Sequence, residues 1–436
     1  MAIVGPQFSA LAHVVSHIAN EIQMPLLSFA ATDPTLTSYE YPYFIRMTHS
    51  DVSQMEAIAA FVDSCGWKGV VAGYIDDDYG RNGISTLGDA LTAVGATITN
   101  KAAMTPGVGR SEMGDVLANL ASMDTRVFVV HMYSDAGLKL ISEAKDIGML
   151  NTGYVWIVTD WLSSVLDSGL PEADSMKSLQ GLISLRPHTP NSGQQHILRE
   201  KWKNLQIANM VNVSLNAFAL YAYDSILMIA HSINGYLNQG GNISFAKQST
   251  LSSSSGSKSE LAALKIFEGG AQLRKTILQT NFKGVVGPVQ LDKRRNLMGS
   301  TFEIINAAGT GVHGVGYWSH RIGLSVTLLK NIVAINDTQS HLKPNFSDII
   351  WPGESKILPR DWVHVKQFVI DVPRKTGFKE FVAANGSGMV TGFCVDVFIA
   401  AVKLLPYKIQ YTFKPYGNEN STPNYDDLVK QVALQS

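Results

Sequence analysis

Cysteine is almost absent, with only Cys65 and Cys394 in 436 residues. They lie far apart in apolar contexts, which excludes a disulfide-stapled scaffold and predicts two free, buried thiols. No apolar stretch is long enough to span a membrane, because each is broken by charge or glycine within about a dozen residues. Charge of one sign is lacking too: the formal net charge is −1, so nothing marks a nucleic-acid partner. There is no phosphate-binding loop and no nucleophile elbow. The stretch GVGRSEMG, Gly107 to Gly114, does not join a strand to a helix with dinucleotide-binding spacing. His131, His188, His196 and His313 show no metal-ligand spacing. Asp76-Asp77-Asp78 reads as acids that lead a helix and face solvent rather than as a metal site. No cofactor, metal or enzymatic activity is expected.

What is present is an ordinary globular composition, 45% hydrophobic and 16% charged, long enough for two or three domains. The richest stretch is Ala2 to Thr37. Gly5-Pro6 breaks a first strand. Phe8, Leu11, Val15, Ile18 and Ile22 then fall on one helical face. Pro25 to Phe29 reads as a buried strand, and Asp33-Pro34 as the cap and first position of a new helix. Further along, strands are predicted at Gly69–Ile75, Arg126–His131 and Tyr154–Val158. Helices follow at Arg81–Val94, Ala136–Ile147 and after Asp160. This alternation predicts parallel α/β sheets covered by helices on both faces. Longer helices at Gln194–Gln206 and Ala217–Tyr236 interrupt it and return toward the start of the fold, so two lobes around a cleft are expected, with the chain crossing between them more than once. A Gly/Ser-rich loop, NQGGNISFAKQSTLSSSSGSKS, follows. A tight turn at Phe282–Asp292 and strands at Thr301–Asn306 and Val312–Trp318 come next.

Turn chemistry at Trp351-Pro352-Gly353-Glu354 marks a boundary. The expected division is a domain at residues 1–340, a linker at 341–362, and the start of a second domain at 363–436. The latter opens with a strand at Val363–Asp371 and an amphipathic helix that buries Val395, Phe398, Val402 and Leu405.

Candidate binding groups gather at predicted strand ends, where open α/β sheets take ligands. Ser9 and Thr32 sit beside helix N-termini, where backbone N–H groups can hold a carboxylate. Ala30 contributes backbone to the Thr32 turn. The Tyr79 ring can lie against an ammonium group, and Asp160 can pair with one. Each has a plainer reading: capping for Ser9, Thr32 and Asp160, packing for Tyr79. Six N-glycosylation sequons occur, at Asn212, Asn242, Asn336, Asn345, Asn385 and Asn420; they permit a secreted location without requiring it.

The stretches GPQFSALAHVVSHIANEIQMPLLSFAATDPTL, YPYFIRMTHSDVSQMEAIAAFV and IDDDYGRNGISTLGDAL resemble the amino-terminal domain of plant glutamate receptor-like channels, in the ionotropic glutamate receptor family. WPGES, DVPRKTGFKEFV and GFCVDVFIAAVKLLPYKIQYTF resemble the start of that family's ligand-binding domain. The resemblance implies a two-lobed type I periplasmic-binding-protein-like domain followed by the first segment of a type II periplasmic-binding-like domain. It also implies that Ser9 and Thr32 hold an amino-acid carboxylate. On this resemblance the sequence is expected to be an extracellular piece truncated at both ends. A strand, helix and strand would precede Met1, and the carboxylate-clamping arginine and the pore would lie beyond Ser436. No leader is visible, since Met1 opens almost directly on a strand.

The function implied is the extracellular, ligand-sensing part of a cation channel in the plasma membrane. It would bind an amino acid such as glutamate or glycine, or a small peptide, and assemble as a homo- or hetero-oligomer. Helical faces at Phe8–Ile22 and Met55–Val62 are candidates for subunit pairing, or simply cover the sheet. A free-standing amino-acid-binding protein is the main competitor, and the WPGES segment argues against it. A non-binding assembly domain and an α/β enzyme complete the set.

Overall fold

The structure is a computed structural model that describes residues 1–169, 173–209, 213–247, 264–309, 311–328, 348–359, 368–373, 380–384, 390–403, 411–417 and 424–434. The chain divides into two compact units, Met1–Asp361 and Trp362–Ser436.

The first unit begins β1 (Ile3–Val4), α1 (Ser9–Glu21), β2 (Leu26–Ser28) and β3 (Phe44–Arg46). Next come α2 (Asp51–Ser64), β4 (Gly69–Ile75), α3 (Asp78–Ala93), β5 (Thr97–Met104), α4 (Arg110–Ala121), β6 (Val127–His131) and α5 (Ser134–Asp146). They are followed by β7 (Val155–Val158), α6 (Asp160–Ser168), α7 (Ala173–Ser178), β8 (Ile183–Pro187), α8 (Gly193–Asn209) and α9 (Ala217–Asn238). The unit closes with β9 (Phe245–Lys247), β10 (Lys265–Phe267), α10 (Gly270–Gln279), β11 (Phe282–Gly284), β12 (Gly287–Val289), β13 (Thr301–Ala308), β14 (Gly311–Ser319) and β15 (Gly323–Ser325).

Two sheets make two lobes. In the first lobe β1, β2 and β3 lie parallel in that order. One face packs Leu27, Ile45 and Met47 against Tyr221, Met228, Leu273 and Ile277 of α9 and α10. The other packs Leu26 and Phe44 against Ala12 and Ala19 of α1. The second lobe is an eight-stranded sheet in the order β15-β14-β13-β8-β7-β6-β4-β5, parallel from β5 to β8 and antiparallel beyond. Its central strands β4, β6 and β7 are largely apolar because both faces are covered. Val70, Ala72, Val127, Val129, Val155 and Ile157 face α2 and α3. Val71, Ile75, Phe128, Val130, Trp156 and Val158 face α4, α5 and α6. The chain passes between the lobes three times: from β3 to α2, from β8 to α9, and from β12 to β13. Two of these crossings are tied together where Ser300 Oγ and His49 Nδ1 share a hydrogen bond at 3.1 Å.

The expected α/β, two-lobed architecture is therefore present, with local differences. The buried side of α1 is Ser9, Ala12, Ser16 and Ala19. Of the expected apolar face only Ile22 is buried, whereas Phe8 and Leu11 are 48% and 50% exposed. Small side chains let the helix lie close to its sheet, which outweighs the burial of larger ones elsewhere on the helix. No helix starts at Asp33-Pro34. Asp33 is fully buried, and its carboxylate accepts from the Thr35 backbone N–H at 2.8 Å, closing a turn instead. The two thiols are free but not both buried: Cys65 is half-buried and Cys394 exposed.

Part of the stretch expected as linker packs on the first unit. Ile349 and Trp351 are buried, and Trp351 meets Trp67 edge-on at 5.7 Å between ring centroids. Trp67 Nε1 donates to the Pro359 carbonyl at 2.9 Å. The Asn306 side chain bonds both the N–H and the C=O of Ile350, each at 2.9 Å. The second unit contains β16 (Phe368–Pro373), β17 (Ala383–Ala384), β18 (Val390–Thr391), α11 (Phe393–Lys403), β19 (Tyr411–Tyr416) and α12 (Tyr425–Leu434). Strands β16 and β19 are parallel, and Phe398 of α11 packs edge-on against Tyr411 and Phe413. Val395 is buried and Phe398 and Val402 are half-buried, while Leu405 lies outside the described residues.

Replacing a fully packed tryptophan removes contacts and leaves a cavity. Trp351→Ala is expected to destabilise the first unit by about 3–5 kcal/mol, measured by urea unfolding. A loss under about 1 kcal/mol would mean that this segment only tethers the two units.

Candidate functional site

The carboxyl ends of the two sheets converge on one cleft. In the second lobe the strand order reverses between β4 and β6, since β5 lies on one side and β7 on the other. A crevice at the ends of such strands is where open α/β sheets take ligands. The residues that follow β4, β6 and β7 are Tyr79, Tyr133 with Ser134, and Asp160 with Trp161, and all line the cleft. The first lobe faces them with Ser9, just past β1, and with Ala30 and Thr32, just past β2. Phe218 of α9 closes one end. The enclosed space is about 90 Å³.

All five residues singled out from sequence thus stand around a single cleft, though not in the poses capping would give. Ser9 does not cap its own helix; its Oγ accepts the Asp33 N–H at 3.3 Å, which leaves its own proton available. The Ala30 N–H is loosely held by Ser28 Oγ at 3.5 Å. Thr32 Oγ1 donates to Asp51 Oδ2 at 2.8 Å, and the Thr32 carbonyl accepts the Asp51 N–H at 2.9 Å. Tyr79 is buried among rings, with His131 tilted against it at 4.1 Å and Tyr133 stacked at 5.0 Å between centroids. Phe8 of the first lobe meets Tyr133 edge-on at 5.1 Å and carries the ring contacts across the cleft.

Behind this wall lies a polar chain that sequence reasoning missed. Gln54 Nε2 donates to Asp51 Oδ1 at 2.9 Å and to Asp160 Oδ1 at 3.4 Å, and its Oε1 accepts the Asp160 N–H at 2.7 Å. Thr32, Asp51, Gln54 and Asp160 therefore run continuously from one lobe to the other. His131 Nε2 lies 3.7 Å from Asp51 Oδ2 and makes no hydrogen bond. Burial drives the His131 pKa down to about 4, so the imidazole is neutral. Gly83 permits this placement, because a Cβ there would come within 2.3 Å of His131 Nε2. Asp51 and Gln54 stand in the first turn of α2, after the Ser50 cap, and nothing local in the sequence sets them apart.

Burial dominates the electrostatics. It pushes the Asp51 carboxyl up to about 7, assisted by Asp33 and opposed by the Thr32, Arg46 and Gln54 contacts. Burial, then the neighbouring Asp51, pushes Asp160 up to about 7 as well. The same desolvation, followed by Asp51 and Asp160, holds the Tyr79 phenol well above its ordinary range. Arg46 does not neutralise the acid pair directly. Its guanidinium donates to the carbonyls of Ala31 at 3.1 Å, Leu36 at 3.2 Å and Asp33, and to Asn296 Oδ1 at 2.7 Å. A second, larger groove of about 930 Å³ lies by the crossing strands and includes Arg46, Met298 and His320. It gathers none of the predicted residues, and the one deeply buried ion on its wall, Arg46, is already bonded.

Among the described residues no group of acids, histidines and cysteines is placed to hold a metal ion. Asn242 is exposed, while Asn212, Asn336, Asn345, Asn385 and Asn420 lie outside the described residues.

The raised carboxyl values predict a pH dependence of stability. The folded chain keeps protons on Asp51 and Asp160 that the unfolded chain releases near pH 4. Their contribution is full below about pH 4 and lost as pH rises to about 7, at roughly 1 kcal/mol per pH unit for each group. Denaturant unfolding from pH 5 to 8 is expected to show a smaller fall for Asp51→Asn than for the unmodified chain. Parallel pH profiles would sink this assignment.

A family model described as "Receptor family ligand binding region" matches residues 1–310. The chain is 41% identical to Glutamate receptor 3.1 of Oryza sativa subsp. japonica, covering 99% of this chain and 47% of the relative. It is 42% identical to Glutamate receptor 3.4 of Arabidopsis thaliana, covering 100% and 46% respectively. With Glutamate receptor 3.2 of Arabidopsis thaliana the identity is 38%, over 100% and 48%. The chain thus spans about half the length of the relatives it matches. Among the described residues no helix is long and apolar enough to cross a membrane. The two-lobed α/β architecture is the periplasmic-binding-protein-like fold expected of this receptor region. The chain belongs to the receptor family ligand binding region, and within it to the plant glutamate receptor-like proteins.

Proposed function

We propose that this chain is the extracellular, ligand-sensing portion of a glutamate receptor-like cation channel, and that the cleft between its lobes binds an amino acid or a small peptide. The observation that carries the reading is the convergence of Ser9, Ala30 and Thr32 from one lobe with Tyr79 and Asp160 from the other. The hydroxyls and backbone amides at the helix starts take the α-carboxylate. Asp160 and the Tyr79–Tyr133 ring faces take the ammonium. A ligand that touches both lobes binds the closed arrangement better than the open one, which is all that closure requires. In the complete receptor this closure biases a pore, and residues 363–436 begin a second ligand-binding domain.

The resemblance also points to assembly with other subunits at the plasma membrane. The half-exposed Phe8, Leu11 and Val14 on α1 offer one apolar surface for pairing. That surface is compatible with an assembly role for the domain, whether or not the cleft is occupied.

Isothermal titration calorimetry tests the cleft. Removing a charge-assisted partner costs roughly 1.5–3 kcal/mol, or about ten- to a hundredfold in affinity. Thr32→Ala and Asp160→Asn are each expected to weaken an amino acid that binds by such a factor. Affinity for the ammonium should also rise as pH climbs through 7, where Asp160 ionises. Binding that neither substitution weakens even threefold would place the site elsewhere.

A further inference from the structure

The cleft does not absorb one exposed feature of the first lobe, the sequon Asn242-Ile243-Ser244 between α9 and β9. Its backbone is pinned at both ends. The Tyr236 hydroxyl donates to the Asn242 carbonyl at 2.6 Å, and the Ser244 carbonyl accepts the Glu268 N–H at 3.2 Å. Gly241 makes the first anchor possible, because a Cβ there would stand 2.5 Å from the Tyr236 ring. Tyr236 belongs to the buried core of the lobe, so the loop is held down while the Asn242 side chain stays exposed. Among the described residues no hydrogen bond occupies that side chain. A sequon asparagine in this position can carry a bulky sugar without displacing any packed group.

The neighbouring strand supplies a second observation. Among the described residues β9 pairs only with β10, with Phe245 opposite Phe267, so its other edge is unpaired. Phe267 is fully buried, but Phe245 is 44% exposed, Ile243 48%, and Leu237 at the end of α9 46%. An open strand edge beside large apolar side chains is a template for pairing with another chain, and folded proteins cover such edges. Asn242 stands three residues before Phe245, within about 10 Å along an extended chain.

We infer, building on the extracellular reading above, that Asn242 carries an N-linked glycan and that this glycan shields the open edge of β9 with Ile243 and Phe245. The donor is a lipid-linked oligosaccharide pyrophosphate, met as the chain enters the secretory pathway. The bond from the anomeric carbon to the pyrophosphate oxygen breaks as a bond to Asn242 Nδ2 forms. The lipid pyrophosphate leaves, and the amide gives up one proton. Hydrated sugar then stands over the edge, and a second chain cannot come close enough to pair with it. This end of the first lobe is thereby closed to subunit contact.

The test is to express the full chain in mammalian cells behind a leader peptide and recover it from both cells and medium. Treatment with a peptide N-glycosidase in heavy-oxygen water, then digestion and mass spectrometry, reads each sequon separately. Residue 242 is expected to carry the heavy label in most molecules. Asn242→Gln and Ser244→Ala remove the acceptor by different routes, and each should raise the aggregated fraction in size-exclusion chromatography severalfold. Phe245→Lys in the Asn242→Gln background should return that fraction to the level of the glycosylated chain. An unlabelled residue 242 would overturn the inference alone, because the leader enforces secretion and the ligand-sensing reading is decided by the calorimetry above. A labelled residue 242 whose loss leaves aggregation unchanged would overturn the shielding role, as would a failed rescue by Phe245→Lys.

Discussion

The architecture of the cleft depends on how Asp51 is buried. It is the first residue of the helix that enters the second lobe, and it is fully buried, its backbone N–H donating to the Thr32 carbonyl and its carboxyl accepting from the Thr32 hydroxyl. Thr32 belongs to the first lobe, so one residue pair fixes the angle at which the chain crosses. From Asp51 the bonding continues through Gln54 to Asp160, whose own N–H is held by Gln54. The turn that presents Asp160 to the cleft is therefore set by a side chain more than a hundred residues away. An isolated buried acid would be severely costly; this one is tolerated because it is hydrogen-bonded on both oxygens and its pKa lies near 7.

The crossings show the same economy. His49 and Ser300 join two of the three strands that bridge the lobes, and burial lowers the His49 pKa to about 4, so that bond does not depend on a charge. The Arg46 N–H donates to the Arg295 carbonyl and its own carbonyl accepts the Leu297 N–H, which lays the return strand against β3. The crossings near residues 47–50 and 297–300 are thereby held side by side. Dense cores lie on either side, with Leu27, Ile45 and Met47 in one lobe and Val70, Val129 and Ile157 in the other.

Much of this was legible in sequence because the second lobe obeys simple periodicities. Runs such as Val127–Val130 and Val155–Val158 are apolar at every position, as suits a parallel strand covered on both faces. The hydroxyls, ring and acid in the turns after strand ends were visible in sequence, and they line the cleft. The misses share a cause. The Asp51–Gln54 pair takes its meaning from partners distant in the chain. In α1 the pattern of large apolar residues named the wrong face, since alanines and serines pack closer. Asp33 had the chemistry of a cap, but its carboxyl was drawn to His13, Thr35 and Asn82, and the turn closed on itself. Strand β5 escaped notice because Thr97–Met104 is an edge strand, half polar and largely exposed.

A cleft backed by a buried acid pair is a poor choice for stability alone. Replacing such a pair by apolar groups of similar volume is often neutral or favourable, so the polar chain must be weighed by what it leaves incomplete. Gln54 satisfies the Asp51 and Asp160 carboxyls as far as geometry allows, while the Trp161 indole N–H and His131 Nε2, both enclosed in the interior, have no partner. The Asn306–Ile350 pair, by contrast, closes on itself. The shared family accounts for the scaffold, and the chain from Thr32 through Asp51 and Gln54 to Asp160 ties the two walls of the cleft together.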